Sequence, residues 1–66
     1  MKVFKLDYRK RNEIKDWLTL NVSPEGYRWW LSSVHNEEGS RDLLVNLDLT
    51  EQEEEEFLTV FLLSNV

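Results

Sequence analysis

The chain has 66 residues, with 13 acidic and 8 basic side chains, which gives a formal net charge of -5. We expect a single small domain over residues 1–66, and a chain of this length buries only roughly 60% of the surface that its unfolded form exposes. Because the sequence contains no cysteine, disulfides and thiolate zinc sites are excluded, and stability must come from a hydrophobic core.

The N-terminal third of the chain is predicted to form a strand followed by a helix. Residues 2–8 alternate polar and apolar side chains, with Phe4 and Leu6 on one face, which is typical of a short strand. Residues 9–20 are rich in helix-forming side chains and carry a narrow apolar stripe at helical spacing. That stripe consists of Ile14, Trp17 and Leu18.

The middle of the chain, residues 27–49, is predicted to form a β-hairpin. Residues 37–39 fit a three-residue loop in which Gly39 takes the left-handed conformation. A shift of register by one residue would bury the charge of Arg28, so we prefer this loop. The predicted cross-strand pairs are Tyr27–Leu49, Trp29–Leu47, Leu31–Val45 and Ser33–Leu43 on one face, and Arg28–Asp48, Trp30–Asn46, Ser32–Leu44 and Val34–Asp42 on the other.

The C-terminal segment, residues 50–66, is predicted to begin a helix at Thr50. Glu53 follows three residues later and completes a capping box, and the surrounding glutamates suit the positive end of a helix dipole. A strand over residues 57–66 is the competing interpretation, because phenylalanine, threonine and valine favour strands. The predicted buried stripe of the helix is Phe57, Leu58, Phe61 and Leu62.

These elements predict a small α+β fold with the order β-α-β-β-α. It has a three-stranded sheet, and both helices cover the face that carries Trp29 and Val45. Neighbouring residues of a strand point to opposite faces, so Trp30 belongs to the uncovered face. That face is left for water or for a partner.

No catalytic, cofactor or metal site is predicted. The single histidine, His35, lies beside the hairpin turn with no cysteine and no rigid supporting shell. Both glycines, Gly26 and Gly39, are explained by turns and do not form a phosphate-binding loop. The acidic residues lack the spacing of a calcium loop. We therefore expect a protein that is not an enzyme and that needs no cofactor or metal.

The net charge is unevenly distributed along the chain. Residues 1–15 hold six basic and two acidic side chains, a net of +4, whereas residues 16–66 hold two basic and eleven acidic ones, a net of -9. Such an asymmetry indicates selection of a partner by electrostatic complementarity.

The leading hypothesis is a small acidic binding module or inhibitor that docks on a basic surface of a partner protein, such as one that binds nucleic acid. Phages and other mobile elements carry proteins of this type, so a counter-defence role is expected by analogy. The predicted apolar anchor is Trp30 with Leu44. The predicted acidic contacts are Glu37, Glu38, Asp42, Glu53, Glu54, Glu55 and Glu56.

Two alternatives remain open. The basic residues Arg9, Lys10 and Arg11 suit contacts with single-stranded nucleic acid, although the net charge would repel such a polymer. A structural homodimer is the other alternative, because small domains without disulfides often gain stability by association. Its contacts would be the uncovered sheet face, or Val60 and Leu63 on the last helix.

Neither a signal peptide nor a membrane partner is expected. Charges at Lys2, Lys5 and Asp7 interrupt the apolar residues near the N-terminus. The longest apolar stretch, residues 57–63, is far shorter than the about 20 residues that a membrane span needs. A cytoplasmic location is therefore expected.

Overall fold

A computed structural model describes residues 1–63, which form a three-stranded antiparallel sheet with two helices packed on one face. The α+β class and the predicted element order are confirmed. The strands are β1 (Lys2–Asp7), β2 (Trp29–His35) and β3 (Arg41–Leu47), and the helices are α1 (Arg11–Asn21) and α2 (Glu51–Leu58). A 3-10 turn, Tyr8–Lys10, precedes α1, and a π-helical turn, Thr59–Leu63, follows α2.

The central strand of the sheet is β3, and β1 and β2 both pair with it in antiparallel orientation. The observed hairpin register runs from Trp29 opposite Leu47 to His35 opposite Arg41, so the predicted register is confirmed. The loop closes as expected, because the Asn36 N–H donates to the Ser40 carbonyl at 2.9 Å. Its glycine, Gly39, has a φ of 81°, a conformation that other residues adopt only at a cost.

The core lies between one sheet face and the two helices. Side chains from β3 alternate, so Leu43, Val45 and Leu47 face the helices while their neighbours face away. The buried residues are Ile14, Leu18, Trp29, Leu43, Val45, Leu47, Phe57 and Phe61. They form a single cluster, which includes the face of Trp29 and Val45 that the sequence pattern predicts.

The first helix begins later than predicted. Residues 9 and 10, which were expected in the helix, belong to the 3-10 turn, and α1 starts at Arg11. The side chain of Asp7 is the physical reason, because its Oδ1 accepts a hydrogen bond from the Arg9 N–H at 3.0 Å and so caps the tighter turn. The predicted stripe is retained, since Ile14 and Leu18 are fully buried.

The second helix begins with the predicted capping box. The Thr50 Oγ1 accepts from the Glu53 N–H at 3.2 Å, and the Glu53 Oε1 accepts from the Thr50 N–H at 3.0 Å. Residues 57–63 are therefore helical, and the strand interpretation is wrong for them. The remaining part of that interpretation, residues 64–66, lies outside the described residues. Within the described chain, no helix is long and apolar enough to cross a membrane.

Candidate binding surfaces

Ion pairs offset part of the charge asymmetry seen along the chain. Of the five pairs within residues 1–63, three join the basic first fifteen residues to acidic residues of the remainder, and these are Lys2–Glu54, Lys5–Asp42 and Lys15–Glu25. The other two are Arg9–Asp7 at 2.9 Å and Arg28–Glu53 at 2.6 Å. Most of the basic excess of the first fifteen residues is therefore paired in the fold, whereas the remainder of the chain keeps a clear excess of acidic side chains.

Glu53 is a structural residue that ties α2 to the sheet. The backbone pairs Arg28 with Asp48 as predicted, through a 2.8 Å bond from the Asp48 N–H to the Arg28 carbonyl. The guanidinium of Arg28 turns away from that expected partner and donates to both carboxylate oxygens of Glu53, at 2.6 and 3.2 Å. This bidentate contact, helped by the Thr50 N–H, lowers the pKa of Glu53 below its ordinary value.

Acid is expected to weaken the fold through Glu53. Its folded-state pKa lies below the unfolded value, so the unfolded chain binds the proton more readily, and the stabilisation is present above about pH 4.5 and lost as the pH falls further. In Glu53→Gln this contribution is missing at every pH, while the amide oxygen can still accept from Thr50. We therefore expect the difference in unfolding free energy between wild type and variant to be largest at pH 7 and to shrink at pH 3.

Urea unfolding of both proteins at the two pH values measures that difference. The matched control is Glu55→Gln. It removes a carboxylate of the same helix, and this carboxylate has no ion pair within residues 1–63. If the difference in unfolding free energy between wild type and Glu53→Gln stays constant from pH 7 to pH 3, the assignment of the ion pair is contradicted.

The predicted acidic contacts on α2 lie on the side of the sheet opposite to Trp30. Glu54 is bonded to Lys2 at 2.8 Å, and only Glu55 and Glu56 of the four glutamates at 53–56 remain exposed without an ion pair in the described chain. These two border a groove between α1 and α2, whose floor includes Trp17. The ring of Trp17 already packs edge-on against Phe57 and Phe61 of the core.

The second surface is the face of the sheet that no described helix covers, here called the open face. Three of its apolar side chains are well exposed, namely Val3 at 55%, Val34 at 44% and Trp30 at 38%, and Leu44 between them is half-buried. Trp30 makes no ring contact with another aromatic or a cation in the described chain. Trp30 and Leu44 lie on neighbouring strands in diagonal positions, because Trp30 faces Asn46 and Leu44 faces Ser32.

Acidic side chains gather at the hairpin end of the open face. Asp7 of β1 lies directly opposite Asp42 of β3, an arrangement of like charges that disfavours pairing of the two strands. Arg9 compensates Asp7 and holds the pKa of that carboxyl at about 2. Asp42 has weaker compensation, with the Lys5 Nζ at 3.9 Å and the Asn36 amide at 3.5 Å.

The hairpin loop adds two further carboxylates to this end. Glu37 and Glu38 are exposed and have no ion pair in residues 1–63. A shallow depression joins them to the open face, and its lining is Lys5, Val34, His35, Asn36, Glu37, Glu38 and Asp42. The structure thus places three of the nine residues predicted for partner binding on the open face, and two more in the loop at its end. The three are Trp30, Leu44 and Asp42, and the two are Glu37 and Glu38.

The basic segment of the nucleic-acid alternative is also divided by the fold. Arg9 is bound to Asp7 through its Nε and Nη2 atoms, so its guanidinium is occupied. Arg11 lies over the ring of Tyr8 at 4.5 Å, and Arg41 of β3 comes within 6.0 Å of the same ring. Arg41 was not predicted for this group, because it is thirty positions after Arg11 in the chain and only the pairing of β3 with β1 brings it to Tyr8.

No group of three or more metal-ligating side chains is found in the part of the chain that the structure describes. Comparison with known proteins finds no matching family model, no matching curated protein and no matching solved structure.

Proposed function

We propose that this protein is a non-catalytic binding module that docks through its open face onto a basic surface of a partner protein. The observation that carries the proposal is that exposed Trp30 and Val34 share one sheet face with Asp42, and that Val34 lines a depression together with Glu37 and Glu38. A contact of this kind would cover the apolar area and neutralise the acidic end together.

The apolar part of the open face would supply most of the affinity. Tryptophan is enriched among the residues that dominate binding energy, because it offers a large rigid surface at a low entropic cost. Trp30 has no aromatic or cationic ring partner in the described chain, whereas Trp17 in the helix groove is already packed against two core phenylalanines. This difference favours the open face over the groove as the docking surface.

The acidic part would select the partner. Glu37, Glu38 and Asp42 lie beside the apolar residues, and five of the eight basic side chains are already paired with carboxylates. A basic surface with exposed apolar groups is the complementary partner, and charge attraction would speed the encounter. If that surface normally binds nucleic acid, docking would block it, and the protein would act as an inhibitor. The cytoplasmic location expected from the sequence and a mobile-element origin belong to this proposal.

Affinity capture with matched variants tests the proposal. Wild-type protein should retain a basic partner, and Trp30→Ser should weaken the complex by about 30-fold or more, the loss typical of a central contact residue. The double variant Glu37→Lys/Glu38→Lys should lower the association rate constant and abolish the increase of that constant at low salt. The matched control is Glu55→Lys/Glu56→Lys, which reverses the same number of charges on the helix side and should bind as wild type does.

Two outcomes would overturn the open-face proposal. Binding that is lost with the helix-side variant and kept with Trp30→Ser would assign the contact to the groove between α1 and α2. A sedimentation mass twice that of the monomer, reduced to the monomer by Trp30→Ser, would show that a second copy of this chain occupies the open face. Circular dichroism of each variant verifies that the fold is intact.

A further inference from the structure

Two guanidinium groups meet at the end of the sheet near the hairpin loop without a carboxylate partner among the described residues. They belong to Arg11 at the start of α1 and Arg41 at the start of β3, and Lys10 lies next to Arg11 in the chain. Every other basic side chain has a carboxylate within 4.0 Å. In a protein with a net charge of -5, these are the cations that remain available to an anion from outside.

The ring of Tyr8 brings the two guanidiniums together. Arg11 lies 4.5 Å from the ring centroid and Arg41 6.0 Å from it, both within the range of cation–π attraction. The Arg11 Nη1 also donates to the Tyr8 carbonyl at 3.3 Å, which fixes one edge of that guanidinium. Two like charges held on one ring repel each other, so a bound anion would relieve the repulsion at the same time as it accepts their remaining hydrogen bonds.

A small depression is lined by one of the two guanidinium groups, that of Arg11, while Arg41 is related to it only through the shared ring of Tyr8. Its volume is about 180 Å³, and its lining is Tyr8, Arg11, Leu31, Ser32, Ser33 and Leu43. Strand alternation places the side chain of Ser33 on the same face as those of Leu31 and Leu43, so its hydroxyl belongs to the depression. Leucines form an apolar wall beside these polar groups, an arrangement typical of small-ligand sites.

The outer edge of β2 adds a backbone donor. The Asn36 N–H donates to the Ser40 carbonyl across the hairpin. Because N–H directions alternate along an antiparallel strand, the even-numbered residues of β2 point their N–H groups to β3 and the odd-numbered residues point theirs away from it. Leu31 shows this outward direction, since its N–H donates to the Glu25 carboxylate at 3.4 Å. The N–H of Ser33 points the same way and has no acceptor within residues 1–63.

We propose that this depression binds a terminal phosphate group, the dianion of a phosphate monoester. Guanidinium forks match the oxygens of a phosphate. Arg11, which lines the depression, would hold the charge while the N–H and hydroxyl of Ser33 donate to the remaining oxygens. Arg41 would add a second positive charge from its position beside Tyr8. A long phosphodiester chain fits poorly, because Glu37 and Glu38 flank this end of the sheet and the whole protein repels a polyanion. The phosphate site does not depend on the open-face proposal, since it lies at the other face of the sheet.

Inorganic phosphate is the first probe. A nitrogen-15 NMR titration at constant ionic strength, with sodium chloride as the matching salt, should move the Nε–H signals of Arg11 and Arg41 and the amide signal of Ser33. Arg11→Gln and Arg41→Gln should each weaken binding by about tenfold, as expected for loss of a charged hydrogen bond. Arg9→Gln is the control, because Asp7 already occupies that guanidinium, and it should bind as wild type does.

Organic phosphates then distinguish the sources of the group. Phosphoserine represents a modified peptide and adenosine monophosphate a nucleotide, and tighter binding of either than of inorganic phosphate supports the site and names its ligand class. Equal signal movements in phosphate and in chloride would overturn the proposal, as would retention of binding in Arg11→Gln and Arg41→Gln. An oligothymidylate without a terminal phosphate that binds as tightly as phosphate would overturn the monoester assignment in favour of a nucleic-acid chain.

Discussion

Replacing Trp29 with alanine is expected to leave the chain largely unfolded at 25 °C, whereas the same change at its neighbour Trp30 is expected to leave it folded. Trp29 is completely buried, and its indole N–H donates to the Ser23 carbonyl at 2.7 Å. Loss of a buried aromatic side chain costs about 3–5 kcal/mol. Domains of this size seldom have more than about 3–5 kcal/mol in total.

Urea unfolding followed by far-ultraviolet circular dichroism checks this expectation. Trp30→Ala is the matched control, because it removes the same side chain from the adjacent position on the open face, where 38% of its surface is exposed. We expect a cooperative transition close to that of wild type for Trp30→Ala and no native baseline for Trp29→Ala. Equal midpoints for the two variants would contradict the burial of Trp29 alone, and unfolding of Trp30→Ala with Trp29→Ala still folded would show that the strand presents its faces the other way round.

Replacing Phe57 with alanine is expected to abolish the fold to a similar extent. This ring is completely buried and joins three others, at centroid distances of 6.1 Å to Phe4, 5.9 Å to Trp17 and 5.0 Å to Phe61. It is the fully buried residue of α2, so its loss removes the main contact of that helix with the sheet. The expected cost is again about 3–5 kcal/mol.

Tryptophan fluorescence and circular dichroism together test this prediction. Because the buried residues form one cluster, Phe57→Ala should lose its helix and sheet signals together, and in wild type both signals should be lost at the same denaturant concentration. Glu56→Ala is the control, since it changes the preceding, exposed position of the same helix and should leave the transition unchanged. Loss of the helical signal alone, with the strands retained, would contradict the single-core description.

The open face and the phosphate site place two different chemistries on the two sides of one small sheet. The open face has an apolar centre and an acidic end, whereas the depression beside Tyr8 is lined by Arg11, with Arg41 near the same ring and no carboxylate paired to either in the described chain. Successive side chains of a strand point to opposite faces of the sheet, and this alternation separates the two surfaces. The variants proposed for the two surfaces therefore have separate readouts, and failure of one proposal leaves the other standing.

Local patterns in the sequence were sufficient for the hairpin and for the start of the last helix. The alternation around Trp29 and the glycine at 39 specify the register, because a one-residue slip would put Arg28 into the core. Thr50 and Glu53 specify the helix start through two hydrogen bonds between residues three apart. Both features depend on near neighbours, and so both are visible in the one-dimensional pattern.

The candidate sites required the tertiary structure. Glu53 looked available for a partner, yet Arg28 binds it from twenty-five positions away. Arg41 looked isolated, yet strand pairing brings it to Tyr8. Residue spacing carries no information on such contacts, because the chain closes long loops to make them.

The sequence alone was enough to establish the class of fold, the strand register, and which of two adjacent tryptophans is buried, since strand and helix periodicities act within a few residues. Only the tertiary structure decided which charges stay free. The apparent separation into a basic N-terminus and an acidic remainder is reduced by three ion pairs, because folding brings these opposite charges within a few ångströms, where Coulomb attraction is strongest. Among the charges left without an ion pair in residues 1–63 are the carboxylates at the hairpin end and the guanidiniums beside Tyr8, which have charge to offer a partner.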